Sequence, residues 1–257
     1  MNLRDEAKDL DARNFFDERA KVYDQVSRWA GDEELNSASD EMLRGLHGVI
    51  AADIGAGTGI MLSRVKEFQR KVALDISSAM LDQVRDPSIA KVVGDVHDLP
   101  FRDSFADLVL CRQLLHYCDV GLAMRNLRCI LKEDGLLHVV QVIEVAGVPE
   151  EWDQDWARIR NVVHRQHLRR KILETAFREN SLETVKQRDL ILRDSYSWQD
   201  FFLKNRVEQA REAEVRSFFQ ATSSEIVKAI DLRISEWGIA YNRLFGMWLL
   251  QSAKLPT

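Results

Sequence analysis

Apolar and polar positions along the chain predict alternating strands and helices. Short uncharged runs rich in Val, Ile, Leu and Ala are typical of buried parallel strands, and the stretches between them have amphipathic helical spacing. The first such run, residues 49–53, is followed by a helix predicted over residues 60–68. Further strands are predicted at residues 71–75, 92–94, 105–111, 136–145, 182–195 and 239–250. This order predicts an α/β fold with a sheet of seven strands and helices on both faces.

The segments outside these strands are predicted to be helical. Residues 1–30 carry aromatic side chains at helical spacing, and a second helix is predicted over residues 33–46. Residues 148–168 and 197–235 form two more helical regions, predicted to lie as a lid over the sheet. We therefore expect one domain in four parts. These are an N-terminal cap (1–47), a core (48–147), a lid containing strand six (148–235) and a last strand (236–257).

Composition narrows the classes of function. The chain has 257 residues, 46% of them hydrophobic and 30% charged, and a net charge of −5, which disfavours a nucleic-acid partner. No apolar run approaches the roughly 18 residues that cross a bilayer, and the N-terminus is charged from Arg4 onward. The three cysteines form no metal-ligand or disulfide pattern. A cytoplasmic protein without a membrane partner, either monomer or homodimer, is the expectation.

A glycine-rich turn comes directly after the first strand. Asp53 ends that strand, and Gly55, Gly57 and Gly59 let the backbone turn sharply and approach a ligand closely. The dinucleotide-binding fingerprint would place its third glycine at position 60, which is Ile60. This spacing disfavours an NAD-dependent oxidoreductase.

The glycine-rich turn and two later sequence segments, each with an aspartate near its start, resemble motifs of the class I S-adenosyl-L-methionine (SAM) methyltransferases. Motif I of that family matches Asp53–Gly59, and the strings at residues 75–81 and 94–101 match its next two motifs. The string at residues 16–24 is similar to the cap of the type 11 methyltransferases of ubiquinone- and biotin-pathway type. The turn at residues 131–135 lacks the family's proline. The resemblance implies a Rossmann-like seven-stranded sheet whose last strand is antiparallel. It also implies a SAM site formed by Tyr23, Asp53, Gly55, Ala56, Gly57, Asp75, Ile76, Met80, Asp95, Val96, Arg112 and Gln113.

Several of these residues have implied roles. Asp75 would accept hydrogen bonds from both ribose hydroxyls, since one carboxylate can accept from two donors. In the family, the residue matched by Asp95 accepts from the adenine amino group, and the next backbone N–H, here of Val96, meets adenine N1. Met80 would lie against adenine or pack in the core, and Tyr23 would close over the cofactor or pack in the core. His97 is interpreted as a surface loop residue.

The segment after strand four carries the candidate catalytic groups. His116 is the candidate general base, because imidazole titrates near neutral pH, and Tyr117 is a candidate for orienting the substrate. The alternative for His116 is a residue that only shapes the pocket. Arg112 would meet an anionic substrate or act through its backbone. His164 and His167 have the spacing of a metal pair but no matching third ligand, so no metal is expected.

The expected activity is methylation of a small metabolite at oxygen, nitrogen or carbon, with SAH as the product. The alternative is a SAM-binding protein without methyl transfer, such as a lyase, a pericyclase-like enzyme or a regulatory subunit. The lid aromatics predict a largely apolar pocket. They are Trp152, Trp156, Trp198, Phe201, Phe202, Phe218 and Phe219.

Overall fold

One mixed sheet forms the centre of the molecule. The computed structural model describes residues 12–160, 163–205 and 211–252. Within them the strands are β1 Gly48–Ile54, β2 Phe68–Asp75, β3 Ile89–Val93, β4 Ala106–Arg112, β5 Leu131–Ile143, β6 Leu182–Ser197, β7 Arg233–Ile234 and β8 Gly238–Ser252. Their order is β3-β2-β1-β4-β5-β8-β6, with the two-residue β7 also paired to β8.

The strand directions confirm the predicted fold class. Strands β1 to β5 pair in parallel, whereas β8 lies antiparallel to both β5 and β6. Strand β7 was not predicted, because a two-residue strand leaves no pattern of alternation. The expected division of the chain into cap, core, lid and last strand remains a prediction.

Helices cover the sheet and its carboxyl edge. They are α1 Ala12–Arg19, α2 Tyr23–Val26, α3 Glu33–Leu43, α4 Ile60–Arg64, α5 Ser78–Leu81, α6 Val120–Ile130, α7 Glu150–Arg160, α8 Arg170–Glu179, α9 Trp198–Asn205, α10 Glu212–Gln220 and α11 Ser224–Ala229. Asp32, Ser77 and Asp119 cap α3, α5 and α6 by accepting a backbone N–H with their side chains.

Several predicted helices are shorter in the structure, among them the second helix, which ends at Leu43 instead of residue 46. The helix expected over residues 60–68 ends at Arg64, because β2 already begins at Phe68. The long helix expected near the N-terminus is broken into α1, α2 and two short 3₁₀ segments at Ala20–Val22 and Arg28–Gly31. Residues 1–11 of that prediction lie outside the described residues.

The lid has a hydrophobic core of its own. Trp156 stacks on Phe201 at 5.9 Å between ring centroids and meets Phe219 edge-on at 4.6 Å. Tyr241 of β8 closes this cluster at 5.2 Å from Trp156. All four side chains are buried, so the lid is fixed to the sheet by aromatic packing.

None of the helices in the described ranges combines the length and the apolar character that crossing a membrane requires.

A buried ion pair joins the two longest strands below the lid. Arg243 Nε lies 2.6 Å from Asp194 Oδ2, and the two side chains are 7% and 6% exposed. Arg243→Met should leave the buried carboxylate without its counter-charge and lower the free energy of unfolding by about 3 kcal/mol. Urea denaturation measures this. Arg233→Met is the control, because Arg233 pairs with Asp231 on the exposed surface, and it should have a far smaller effect. Equal losses in the two variants would contradict the expectation.

Candidate active site

A cavity of about 730 Å³ opens at the carboxyl ends of β1, β2 and β4. The topology explains its place, since parallel α/β sheets bind ligands in the crevice beyond their carboxyl ends. Every residue predicted for the cofactor site lines this cavity, and so does Tyr117. His116 is the one predicted site residue that is not among the lining residues. The individual roles of these residues remain predictions.

The glycine turn forms the floor of the cavity and tolerates no side chain. Gly55 has φ +74°, and a Cβ added there would lie 2.9 Å from Leu114 Cδ1. Gly57 has φ +56° and donates its backbone N–H to Asp75 Oδ2 at 2.8 Å. The loop therefore presents bare backbone to the cavity, which suits close contact with a ligand.

Asp75 is held by backbone donors at the end of β2. Besides Gly57, the N–H of Ser77 donates to Asp75 Oδ1 at 2.9 Å. The carboxylate is buried, and this burial raises its pKa against the opposing effect of the backbone hydrogen bonds. Each oxygen retains a lone pair for a further donor, so Asp75 fits a ligand with two adjacent hydroxyl groups.

Asp53 and Arg112 form the charged centre of the cavity wall. Burial raises the pKa of Asp53 to about 7, although the positive charge of Arg112 opposes the shift. Burial also lowers the pKa of Arg112 to about 10, so that the guanidinium stays charged at neutral pH. Asp53 is therefore close to half-protonated at pH 7 and is suited to a cationic ligand group.

Arg112 also fastens the N-terminal segment to the sheet. Its Nη1 donates to Asn36 Oδ1 at 2.6 Å, and its Nη2 donates to the carbonyl of Trp29 at 2.7 Å. Its guanidinium carbon lies 5.0 Å from the centroid of the Trp29 ring. Sequence analysis placed Arg112 at the site but not Asn36, because the two are 76 positions apart.

The N-terminal helices cover the cofactor side of the cavity. Phe16, Tyr23 and Trp29 contribute to its lining. Asp17 accepts from Ser77 Oγ at 2.5 Å, and Asp24 accepts from Thr58 Oγ1 at 2.8 Å. These bonds tie the covering segment to the glycine turn and to the start of α5.

His97 is a site residue that sequence analysis misjudged. Instead of being a plain surface residue, it lines the cavity beside Asp95. Its Nδ1 lies 2.7 Å from Asp95 Oδ1, and its Nε2 lies 3.1 Å from the backbone nitrogen of Asp119. The spacing Asp-x-His was visible in the sequence, but the contact with Asp119 was not.

His116 lies behind the residues that face the cavity. It is buried, with ring centroids 4.0 Å from Tyr117 and 4.3 Å from His164, both of which line the cavity. Gln141 Nε2 lies 2.8 Å from His116 Nδ1. His116 therefore does not itself face the cavity, and its role as a base remains a prediction.

Gln113 lies between the charged centre and this histidine pair. Its φ of 54° is in the left-handed region, which is uncommon for a side chain larger than glycine. Its Oε1 accepts from Gln141 Nε2 at 3.4 Å. Such strained residues concentrate at functional sites, where the surrounding structure maintains them.

The lid contacts the cavity through residues other than those predicted. Arg158, Val163, His164 and Arg165 line it, whereas none of the seven lid aromatics does. The expectation of a pocket lined by these aromatics was wrong, because the lid uses them to form its own core.

The two lid histidines are not placed as a metal pair. His164 contacts Tyr117 and His116 at the cavity, while His167 Nε2 lies 3.9 Å from Asp153 Oδ1. Among the described residues, no group of three or more His, Cys, Asp or Glu side chains is placed to hold a metal ion.

Comparison with known proteins supports the resemblance stated from the sequence. Residues 52–139 match a family described as a methyltransferase domain. A malonyl-[acyl-carrier protein] O-methyltransferase of Dechloromonas aromatica is 33% identical over 88 residues, which cover 33% of each chain. The chain spans about half or less of the length of the curated relatives that it matches first. The predicted resemblance to class I methyltransferases is thereby confirmed.

Solved structures share the fold. The YcgJ protein of Bacillus subtilis has a TM-score of 0.77 at 17% identity, covering 87% of this chain and all of that one. A phosphoethanolamine N-methyltransferase 2 of Haemonchus contortus, solved with SAM, has a TM-score of 0.63 at 14% identity. The match covers 96% of this chain and 61% of the Haemonchus contortus chain. At these identities the likeness concerns the fold alone.

The raised pKa of Asp53 should appear in ligand binding. If Asp53 faces a ligand ammonium group, that group binds the carboxylate and not the neutral acid. The affinity for SAH should therefore fall about tenfold per pH unit below 7 and level off above it. Calorimetry between pH 5.5 and pH 8 measures the profile, and Asp53→Asn should flatten it. A flat profile in the unmodified protein would remove Asp53 from the binding site.

The contacts of Arg112 predict a second measurable effect. Arg112→Lys keeps the charge but loses the planar fork that donates to both Asn36 Oδ1 and the Trp29 carbonyl. The amide hydrogens of residues 29–36 should therefore exchange with solvent about tenfold or more faster. Arg125→Lys on the exposed face of α6 is the control. Unchanged protection of residues 29–36 in Arg112→Lys would show that other contacts hold the segment.

Proposed function

We propose that the chain transfers the methyl group of SAM to a small-molecule metabolite, because residues 52–139 match a methyltransferase-domain family. The observation that carries this proposal is the cavity itself. A glycine turn and three carboxylates at the carboxyl edge of the sheet, Asp53, Asp75 and Asp95, line one cavity. A nucleoside joined to an amino acid offers matching groups, namely two ribose hydroxyls, an adenine amino group and an ammonium group.

The proposed position of the cofactor is set by these partners. Asp75 accepts from the ribose hydroxyls, and Asp95 accepts from the adenine amino group while the Val96 N–H meets adenine N1. Asp53 faces the ammonium group, which suits a carboxyl buried near one guanidinium. Ile76 and Met80 provide apolar contact for the adenine ring, and Tyr23 covers the cofactor from the N-terminal side.

When bound, SAM supplies an activated methyl group on a sulfonium. The residues of the chain then have three tasks: they align the acceptor atom, exclude water and receive a proton where the acceptor carries one. We propose that Gln113, Tyr117 and His164 face the acceptor, because all three line the cavity beyond the charged centre. His116, which contacts Tyr117 and His164, serves as the proton acceptor behind them.

The cover over the cavity favours a small acceptor. The N-terminal segment and the lid both contribute lining residues, which leaves little room for a folded protein or an RNA helix. Arg158, His164 and Arg165 make the lid side basic, so an acceptor with a polar or anionic group fits better than a wholly apolar one.

Transfer of label tests the reaction class. The protein is incubated with SAM labelled at the methyl carbon and a small-metabolite extract, and the products are separated by mass spectrometry. A labelled metabolite that depends on the protein supports the proposal. SAM binding with no labelled product across carboxylates, amines, phenols and acidic carbon compounds would instead favour a binding protein without transfer.

The ribose assignment predicts a selective loss of affinity. Asp75→Asn keeps one oxygen acceptor but removes the charge, so SAH binding should weaken about tenfold to a hundredfold. Asp82→Asn, at an exposed residue directly after α5, is the matched control and should bind normally. Calorimetry measures both variants, and equal affinities would remove Asp75 from the cofactor site.

A further inference from the structure

His97 connects two parts of the cavity wall. Its Nδ1 lies 2.7 Å from Asp95 Oδ1, and its own backbone N–H donates to the same oxygen at 2.9 Å. On the other side of the ring, the backbone N–H of Asp119 donates to Nε2 at 3.1 Å. Asp119 directly follows Cys118, which lines the cavity, and its side chain caps α6.

These contacts fix the tautomer of the ring. A backbone N–H can only donate, so Nε2 must accept from Asp119 and carries no proton. The proton of the neutral ring is then on Nδ1, where it donates to the Asp95 carboxylate. The tautomer thus follows from two distances and the chemistry of an amide.

The same contacts orient Asp95. The side chain of Asp95 is 46% exposed, and an aspartate so exposed samples several rotamers unless other groups hold it. Both His97 donors bind Oδ1, which leaves Oδ2 to accept from a ligand. The carboxylate therefore presents one defined oxygen to the cavity.

We propose that His97 is a positioning residue for adenine recognition. It holds Asp95 so that Oδ2 meets the adenine amino group, and it ties this acceptor to the start of α6 through Asp119. The proposal rests on the proposed use of SAM, because it assigns the adenine amino group to Asp95.

A pair of nucleosides tests this role. S-inosyl-L-homocysteine differs from SAH in carrying a ring carbonyl where SAH has the amino group, so it presents no donor to Asp95 at that position. Its N1 carries a proton and therefore cannot accept from the Val96 N–H; this second difference is the same in every variant. The unmodified protein should prefer SAH in calorimetry. His97→Ala should reduce that preference about tenfold, mainly through weaker SAH binding, because the freed carboxylate no longer holds one orientation.

Two further variants make the result specific. His97→Gln offers one N–H donor and one acceptor, as the ring does, and should restore most of the preference. His47→Ala, at an exposed histidine outside the cavity, should change nothing. Equal losses for both nucleosides in His97→Ala, or no loss for either, would overturn the positioning role. Failure of the unmodified protein to bind SAH would instead overturn the proposed cofactor.

A measurement without cofactor completes the test. In protein labelled with ¹⁵N-histidine, the signals of His97 are identified by their absence in His97→Gln. Their shifts should show the proton on Nδ1 at pH 8. A proton on Nε2 would overturn the proposal, because the Asp119 N–H could not then donate to the ring.

Discussion

Burial of charge at the carboxyl edge of the sheet is the constraint on which the site depends. Asp53 and Asp75 both have raised pKa values because they are removed from water. Arg112 is the buried cation that acts on Asp53, and it also holds Asn36 and the Trp29 carbonyl. The group that balances the Asp53 carboxylate thus also fastens the segment covering the cavity. Electrostatics and enclosure are therefore coupled. Loss of the guanidinium would leave the Asp53 carboxylate without its counter-charge and would also expose that carboxylate to water.

The parts of the site that the sequence predicts are those encoded by neighbouring residues. The glycine turn comes directly after β1, and glycine adopts the turn's positive φ angles without steric cost. Asp75 and Asp95 are recognisable because a carboxylate after a buried strand lies at the carboxyl edge in any parallel sheet. Uncharged apolar runs likewise predict the buried strands, whereas the antiparallel direction of the last strand came from the family resemblance. Local spacing and sheet geometry together place these residues, without knowledge of distant contacts.

Other features depend on contacts between distant positions, which a single sequence does not contain. The bond from Arg112 to Asn36 spans 76 positions, and the bond from Asp119 to His97 spans 22. The lid aromatics illustrate a different difficulty. Their number correctly indicated a hydrophobic cluster, but composition alone does not distinguish a pocket lining from a core. The lid helices bury them together with Tyr241 of β8, and the cavity receives other side chains.

In the lid, the residues that form the aromatic core and the residues that line the cavity are two separate sets. The aromatic core fixes the lid to β8, while Val163, His164 and Arg165 reach the cavity from an irregular segment between α7 and α8. Backbone bonds from Arg165 and Gln166 to the carbonyl of His116 hold that segment against the catalytic side of the cavity. Residues in such a segment can change without loss of the lid core, because their packing contributes little to it. The side of the cavity formed by the glycine turn and the strand ends, by contrast, is fixed by backbone geometry and buried charge. The lid side is therefore the part of the cavity wall where substitution costs the fold least.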